Sequence, residues 1–408
     1  MSNKPATADA QEPGLMQRIV RGSTLTSILA VVVALIIGGL IIALTNQDVW
    51  EKSSYFFARP GDTLGAAWDA ASKAYVALFQ GGIYSPEQGF KPIAASLTNA
   101  APLILTGLGV AVAFRSGLFN IGAQGQIILG GIFGVWAGFA WSLPSWLHIV
   151  VVILMAALGG AVWGGIVGWL KAVTGAHEVI LTIMLNYVAL KLLNFVLTQA
   201  GSPFKTSATG GAVSKDLKDS AHYPDLIPGS GLDLGFLVAI IVTIVVWWLM
   251  SRSTLGLQLR AVGENPHAAR TAGINVKMVT LVAMLMAGAL AGMAAPSQLM
   301  SQDHRLTGSV AASIGFDAIT VALLGRSTPI GTFFAGLLFG AFKAGGIEMQ
   351  RVGLSSDIVL VVQSLIVLFI AAPPLIRAVF GLNKVGRPKK RKKKLASTVA
   401  ASTEGGAA

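Results

Sequence analysis

From Ser27 to Leu44 the chain runs without a charged residue, and stretches of this kind recur along its length. No other feature limits the fold so strongly. A bilayer crossing needs about 20 predominantly apolar residues, and an unsatisfied backbone group in hydrocarbon costs several kcal/mol, so each crossing closes its own hydrogen bonds. The reading is an all-α, polytopic membrane helical bundle of about ten transmembrane helices: Ser27–Leu44, Leu97–Phe114, Ile121–Trp141, His148–Leu170, Glu178–Leu197, Gly235–Met250, Met278–Met300, Ala311–Leu324, Ile330–Gly346 and Asp357–Ile376. Charged residues are 12% of the chain against about 25% in soluble domains, which sets it far from that class. The 48 glycines suit helices that approach closely. Polar, bulky Thr45–Trp50 offers no cleavage site after the first run, which is therefore expected to be retained. With no cysteine, disulfides and thiolate metal sites are excluded.

Charge sets the expected orientation. Alternate connections carry Arg18 and Arg21, Arg115, Lys171, the basic segment 251–277, Arg326 and a basic tail, whereas Thr45–Ser96 and Ala200–Leu234 carry no basic excess. The positive-inside rule then selects N-in and C-in, which requires an even number of spans. Three regions follow: a cytoplasmic tail over 1–26, a transmembrane domain over 27–376 and a basic, disordered tail over 377–408. Arg377 and the run Lys384–Lys394 hold nine of the thirty basic residues. Directly after an apolar span, that run reads as a topology signal touching anionic membrane lipid, not as a nucleic-acid patch.

One polar segment, Ser251–Lys277, asks for a different explanation. Asn265 suits a helix N-cap, Pro266 the first helical position and Gly273 the residue just past the end. These mark a short helix of about two turns, a length unstable alone in water. A docking element for another protein explains why it is punctuated so carefully, and points to a transporter driven from outside its own chain. The contact candidates are Glu264, Asn265, Arg270 and the small face Ala268, Ala269 and Ala272.

Four motifs together carry a family resemblance. They are Phe114-Arg-Ser-Gly-Leu-Phe-Asn-Ile-Gly-Ala-Gln-Gly-Gln126, Gly175-Ala-His-Glu-Val-Ile-Leu-Thr-Ile-Met-Leu-Asn-Tyr187, Val262-Gly-Glu-Asn-Pro-His-Ala-Ala-Arg-Thr-Ala-Gly-Ile274 and Gly315-Phe-Asp-Ala-Ile-Thr-Val-Ala-Leu-Leu-Gly325. In this order they resemble the permease subunits of bacterial ATP-binding-cassette importers, in the branch with ribose, branched-chain amino acid and nucleoside permeases. Leu118-Phe-Asn-Ile-Gly-Ala-Gln-Gly125 looks like the nucleoside group rather than the ribose one. Members of that group often carry Glu where Gln124 stands, so this chain lacks a charge there. The resemblance implies a pore in the bacterial cell membrane formed with a second permease subunit, as a heterodimer. It also implies two ATP-binding-cassette ATPase subunits or domains gripping the helix after Asn265, and an extracellular substrate-binding lipoprotein delivering nucleosides.

The polar residues near spans are read as follows. His177-Glu178 would begin a zinc motif only with a second histidine at Leu181, so no metal is expected. A carboxylate deep in a span costs about 2.5–3.5 kcal/mol on insertion scales, so Glu178 is either an interfacial helix cap or a paired gating group. Glu178, Thr182 and Asn186 share one helical face, and Asn186 either bonds a neighbouring helix or meets cargo. Asn120, Gln124 and Gln126 flank a glycine-rich bend and are expected to line the pathway. Asp317, with Thr320 one turn on, joins them or simply sits near a helix N-terminus. Arg326 reads as a topology anchor, with an ion pair to Glu178 as the alternative.

The chain has no Gly-x-x-x-x-Gly-Lys-Ser/Thr loop, so ATP is expected to bind partner subunits, and no catalytic residue or cofactor is expected in this chain. The expected role is the permease of an ATP-driven nucleoside importer. A simple-sugar permease is the first alternative. An ion-coupled secondary transporter is the second, disfavoured by the scarcity of buried carboxylates.

Overall fold

The computed structural model describes residues 23–205 and 212–371. The expected tails over 1–26 and 377–408 lie outside these residues except for Ser23–Thr26, and so does the basic run assigned to lipid. The chain order is α1 (Ser23–Thr45), α2 (Gln47–Ser53), α3 (Pro60–Gly82), α4 (Lys91–Arg115), α5 (Ala123–Ala140), α6 (Ser145–Thr174) and α7 (Glu178–Thr198). After a long loop come α8 (Leu234–Arg252), α9 (Thr254–Glu264), α10 (Pro266–Thr271), α11 (Val276–Gly292), α12 (Ala295–Gln298), α13 (Ile314–Leu324), α14 (Pro329–Arg351) and α15 (Ser356–Ala371). Seven helical stretches among the described residues are long and apolar enough to cross a bilayer: α4 to α8, Val276–Ser301 and α14.

Two expected spans differ in the structure. The expected eighth span contains α13, whose 11 residues extend about 16 Å at 1.5 Å per residue, half of a hydrocarbon core of about 30 Å. The seventh bends, because α11 stops at Gly292 and continues through α12 into a single π-turn at Leu299–Asp303. The expected end of the tenth, Ile376, lies outside the described residues. A third difference is α3, where a loop was expected. Asp62, Asp69 and Lys73 lower its hydropathy, but the buried face is made of small residues, Ala66, Ala74 and Ala77, which let α3 lie between α1 and α14.

α4 is buried along almost its whole length, and α6 against α11 is the most extensive helix pair. The glycines explain that pair. A Cβ on Gly160 would meet the carbonyl oxygen of Gly288, and a Cβ on Gly288 would meet that of Gly160. Backbones this close gain dispersion along the whole seam, which is how helices associate where burial from water gives no drive. Two apolar clusters result. The larger joins α4 to α8 with α11 to α13; the smaller joins α1, α3, α14 and α15 around Ile42, Ala74, Met349 and Val362.

The connections gather at two ends. At one end, Arg115 Nε donates to Ser327 O at 3.0 Å, and the chain passes through α9 and α10. At the other, Ser214 N donates to Leu306 O at 2.9 Å, Lys218 N to Gly138 O at 3.2 Å and Tyr223 N to Met300 O at 3.0 Å, so the loop 212–233 folds across the bend of α11. Asp233, buried in that loop, caps Gly235 N at 2.8 Å; burial raises its carboxyl above the ordinary range.

Candidate functional site

The chain leaves helical geometry between Arg115 and Ala123, and the polar residues of the second motif converge on that break. Asn186 on α7 spans it: its Oδ1 accepts from Gly125 N at 2.9 Å, and its Nδ2 donates to Ile121 O at 3.0 Å. Asn120 Oδ1 accepts from Gly122 N at 2.9 Å, while its Nδ2 donates to Gln126 Oε1 at 3.0 Å. Asn120, Gln126 and Thr182 are fully buried and Asn186 nearly so. Trp163, Thr182 and Asn186 pack so closely that a Cβ on Gly122 or Gly125 would come within 3.0 Å of a neighbour. These side chains satisfy backbone groups that the broken helix leaves free. The structure therefore uses the amides of Asn120, Gln126 and Asn186 to hold the break.

Glu178 closes the same cluster from below. Lys171 Nζ donates to its Oε2 at 2.6 Å and Phe119 N to its Oε1 at 3.4 Å, while His177 Nδ1 stands 4.0 Å away. Its ionic partner is thus Lys171, seven residues back across the α6–α7 turn, not Arg326. Among the described residues no group of three or more His, Asp or Glu is placed to hold a metal.

Gln124 leads away from the break. A Cβ on Gly315 would come within 2.6 Å of Gln124 N, so the start of α13 lies directly on the start of α5. Two residues on, Asp317 and Thr320 face a half-open cavity of about 340 Å³ between α13, α14 and α15. Its polar wall also holds Ser313, Lys343, Gln363 and Ser364; Phe339, Leu360, Val367 and Leu368 complete it. Asp317 Oδ2 accepts from Ser313 Oγ at 2.6 Å and faces Lys343 Nζ at 3.7 Å. Sequence reasoning missed Lys343, although the signal was present: a lysine inside an apolar span is costly and marks a site. The cavity lies on the seam between the two apolar clusters, a usual place for a ligand site.

At the end near Arg115, α10 has the expected punctuation. Asn265 Oδ1 accepts from His267 N at 3.0 Å and Ala268 N at 3.1 Å, Pro266 is the first helical residue, and Gly273 takes φ +83°. Glu264, Asn265, Pro266, Ala268, Arg270, Ala272 and Gly273 are all exposed, and Ala269 is buried, so the small face proposed from sequence is divided. Every fourth residue of a helix faces the same way, and Ala269 points inward, where its carbonyl accepts from Ile274 N at 3.0 Å. The helix α9, read from sequence as loop, carries α10: Ser253 caps it at Gly256 N, 2.9 Å away. Near its end a Cβ on Gly263 would meet the carbonyl of Arg115 and lie 3.0 Å from Gly117 N. The exposed helix is thus in backbone contact with the break that holds Asn120.

Residues 93–371 match the family described as branched-chain amino acid transport system / permease component. The chain is 37% identical over 297 residues to the guanosine ABC transporter permease protein NupP of Bacillus subtilis, covering 72% of this chain and 85% of the relative. It is 34% identical over 311 residues to the nucleoside ABC transporter permease protein NupB of Lactococcus lactis subsp. cremoris, covering 74% and 85%. Over 356 residues it is 30% identical to the glucose ABC transporter permease protein TsgB13 of Haloferax volcanii, covering 85% and 86%. No solved structure matches the chain.

Proposed function

This chain belongs to the family of branched-chain amino acid transport system permease components, and from that membership we propose that it is the multi-pass cell-membrane subunit through which an ATP-driven importer takes up nucleosides. The observation that carries the reading is α10: a capped helix exposed on nearly every side, fixed through Gly263 to the break at Gly117. An ATPase subunit that grips Glu264, Asn265, Pro266, Ala268, Arg270 and Gly273 pushes on α9, and α9 pushes on the turn that positions Phe119 and Asn120. Phe119 N reaches Glu178, so the push arrives at α7 as well. The short half-helix α13, lying on Gln124, receives it next and alters the cavity at Asp317 and Thr320.

In this reading the end that carries Arg115, Lys171, α10 and Arg326 is cytoplasmic, ten spans place both termini inside, and the loop 212–233 faces the binding protein. A second permease subunit completes the pore. ATP binds the partner subunits, and this chain needs no cofactor. The two nucleoside relatives favour nucleoside cargo; the glucose permease relative favours a sugar and supplies the competing arm of the test.

Uptake of labelled adenosine, uridine and ribose in cells lacking this chain decides the matter, with wild type or a Glu264→Ala/Asn265→Ala/Arg270→Ala variant restored. Nucleoside uptake that returns with wild type and stays lost in a variant that reaches the membrane supports the proposal. Normal uptake by the variant refutes ATPase docking at α10. Return of ribose uptake alone moves the cargo to sugars, and uptake by the purified chain in liposomes without ATP moves the protein to ion-coupled transport.

A further inference from the structure

Lys343 has no part in the coupling just described, yet an ionisable side chain on a membrane-crossing helix is costly enough to demand a use. Its neighbour Asp317 differs from Glu178 in one respect. Lys171 and Glu178 close to 2.6 Å, whereas Lys343 and Asp317 stop at 3.7 Å. Charge-assisted N–H···O bonds are about 2.7–2.9 Å long, so the second pair is slack. An ammonium has three protons to donate and a carboxylate about four acceptor positions; Ser313 uses one of the latter. Both side chains remain partly open, 32% for Lys343 and 25% for Asp317, and they open onto the same cavity.

We infer that this cavity is the ribose site for a nucleoside, in which Lys343 donates to one hydroxyl of the cis-diol and Asp317 accepts from its neighbour. The inference rests on nucleosides being the cargo. Two adjacent hydroxyls, each able to donate and accept, fill a slack cation–anion pair in a way that an apolar or singly charged ligand does not. One positive and one negative group line the cavity, so it offers no net charge to a phosphate, and it selects nucleosides over nucleotides. The wall of Phe339, Leu360, Val367 and Leu368 offers the base an apolar face. Its volume of about 340 Å³ lies at the small end of ligand sites, which suits one nucleoside.

A plain staple between α13 and α14 makes the opposite prediction for a neutral pair. The test is binding of labelled adenosine, competed by unlabelled adenosine or 2′,3′-dideoxyadenosine, to the whole transporter purified with its co-purifying subunits. Wild type is compared with Asp317→Asn/Lys343→Gln and with Ser364→Phe, which fills the cavity mouth from an exposed position. Adenosine binding is expected to weaken about 10- to 100-fold in the double variant, the cost of losing hydrogen bonds to charged groups, and its preference over the dideoxy compound to disappear. Ser364→Phe is expected to lose binding while its melting temperature stays within about 2 °C of wild type. Either folded variant binding and discriminating like wild type overturns the assignment, as does failure of the purified wild type to bind adenosine that the cells import. Cells expressing wild type that import no nucleoside refute instead the cargo on which the assignment rests.

Discussion

Replacing Asn186 by Leu distinguishes a side chain that holds the fold from one that meets cargo. The substitution keeps the branched heavy-atom layout, puts methyl groups where bonded oxygen and nitrogen stood, and removes both bonds across the break, to Gly125 N and Ile121 O. Both backbone groups lie where Asn186 and its neighbours are buried, so neither regains water. Stranding a buried donor or acceptor costs about 1–3 kcal/mol, and two give about 2–6 kcal/mol. Interhelical hydrogen bonds in membranes average nearer 0.6 kcal/mol each, because the unfolded reference finds partners in the bilayer. Gly125 N, however, is a first-turn helical donor that only a side chain reaches, so a loss of about 3 kcal/mol is expected. At about 2–4 °C per kcal/mol for mid-sized domains, the melting temperature falls by about 6–12 °C. Fluorescence-detected size exclusion after heating in detergent measures it directly. An Asn186→Leu protein that melts within 1–2 °C of wild type yet transports nothing would falsify the clamp and make Asn186 a cargo ligand.

Three further outcomes are expected. Gly160→Leu drives a side chain into the backbone of Gly288 and abolishes monodisperse protein, whereas Gly65→Leu, with open space around its Cα, leaves yield and elution unchanged. Asp233→Asn keeps the oxygen that caps Gly235 and removes a buried charge; because the folded carboxyl is raised above its ordinary 3.8, charging it costs stability above that pH, so the variant melts at or above wild type at pH 7.5 and a clear fall counts against the account. His304 stacks on His222 with ring centroids 4.0 Å apart, and burial first, then His222, hold its imidazole below the ordinary 6.5. A depressed imidazole leaves the folded loop fully stable above about pH 6.5 and weakens it as pH falls through that value. Protection of the 212–223 amides, with the intrinsic pH dependence of exchange divided out, is therefore lower at pH 5.5 than at 7.5, and equal protection at both values counts against the stack as the cause.

The readable parts of this protein share one property: their physics is local. Apolar length alone marks the long spans, because a crossing helix has to satisfy its own backbone. Asn265, Pro266 and Gly273 mark α10, because caps act within three or four residues. Where the reading failed, the information was held elsewhere in the chain. α3 hides because its alanines are apolar only weakly, and their value depends on α14 lying against them. The break at Asn120 was legible as a break, but not what ties it together; only α7, sixty residues on, reveals that Asn186 bonds across the bend.

Lys343 shows the division most plainly. The sequence by itself determined that this chain is a helical membrane bundle, that it carries a short capped helix in a basic polar segment, and that it keeps a few polar groups at glycine-rich bends. It determined these because bilayer thickness, backbone hydrogen bonding and helix capping act on contiguous residues. Tertiary structure alone decided which polar groups are sealed and which stay open. Lys171 closes on Glu178 across one turn, while Lys343 stands off Asp317 on a different helix, above a cavity that neither segment contains. Whether an ion pair is shut or slack depends on distances between helices, and those are set by how the glycine seam and the two apolar clusters pack.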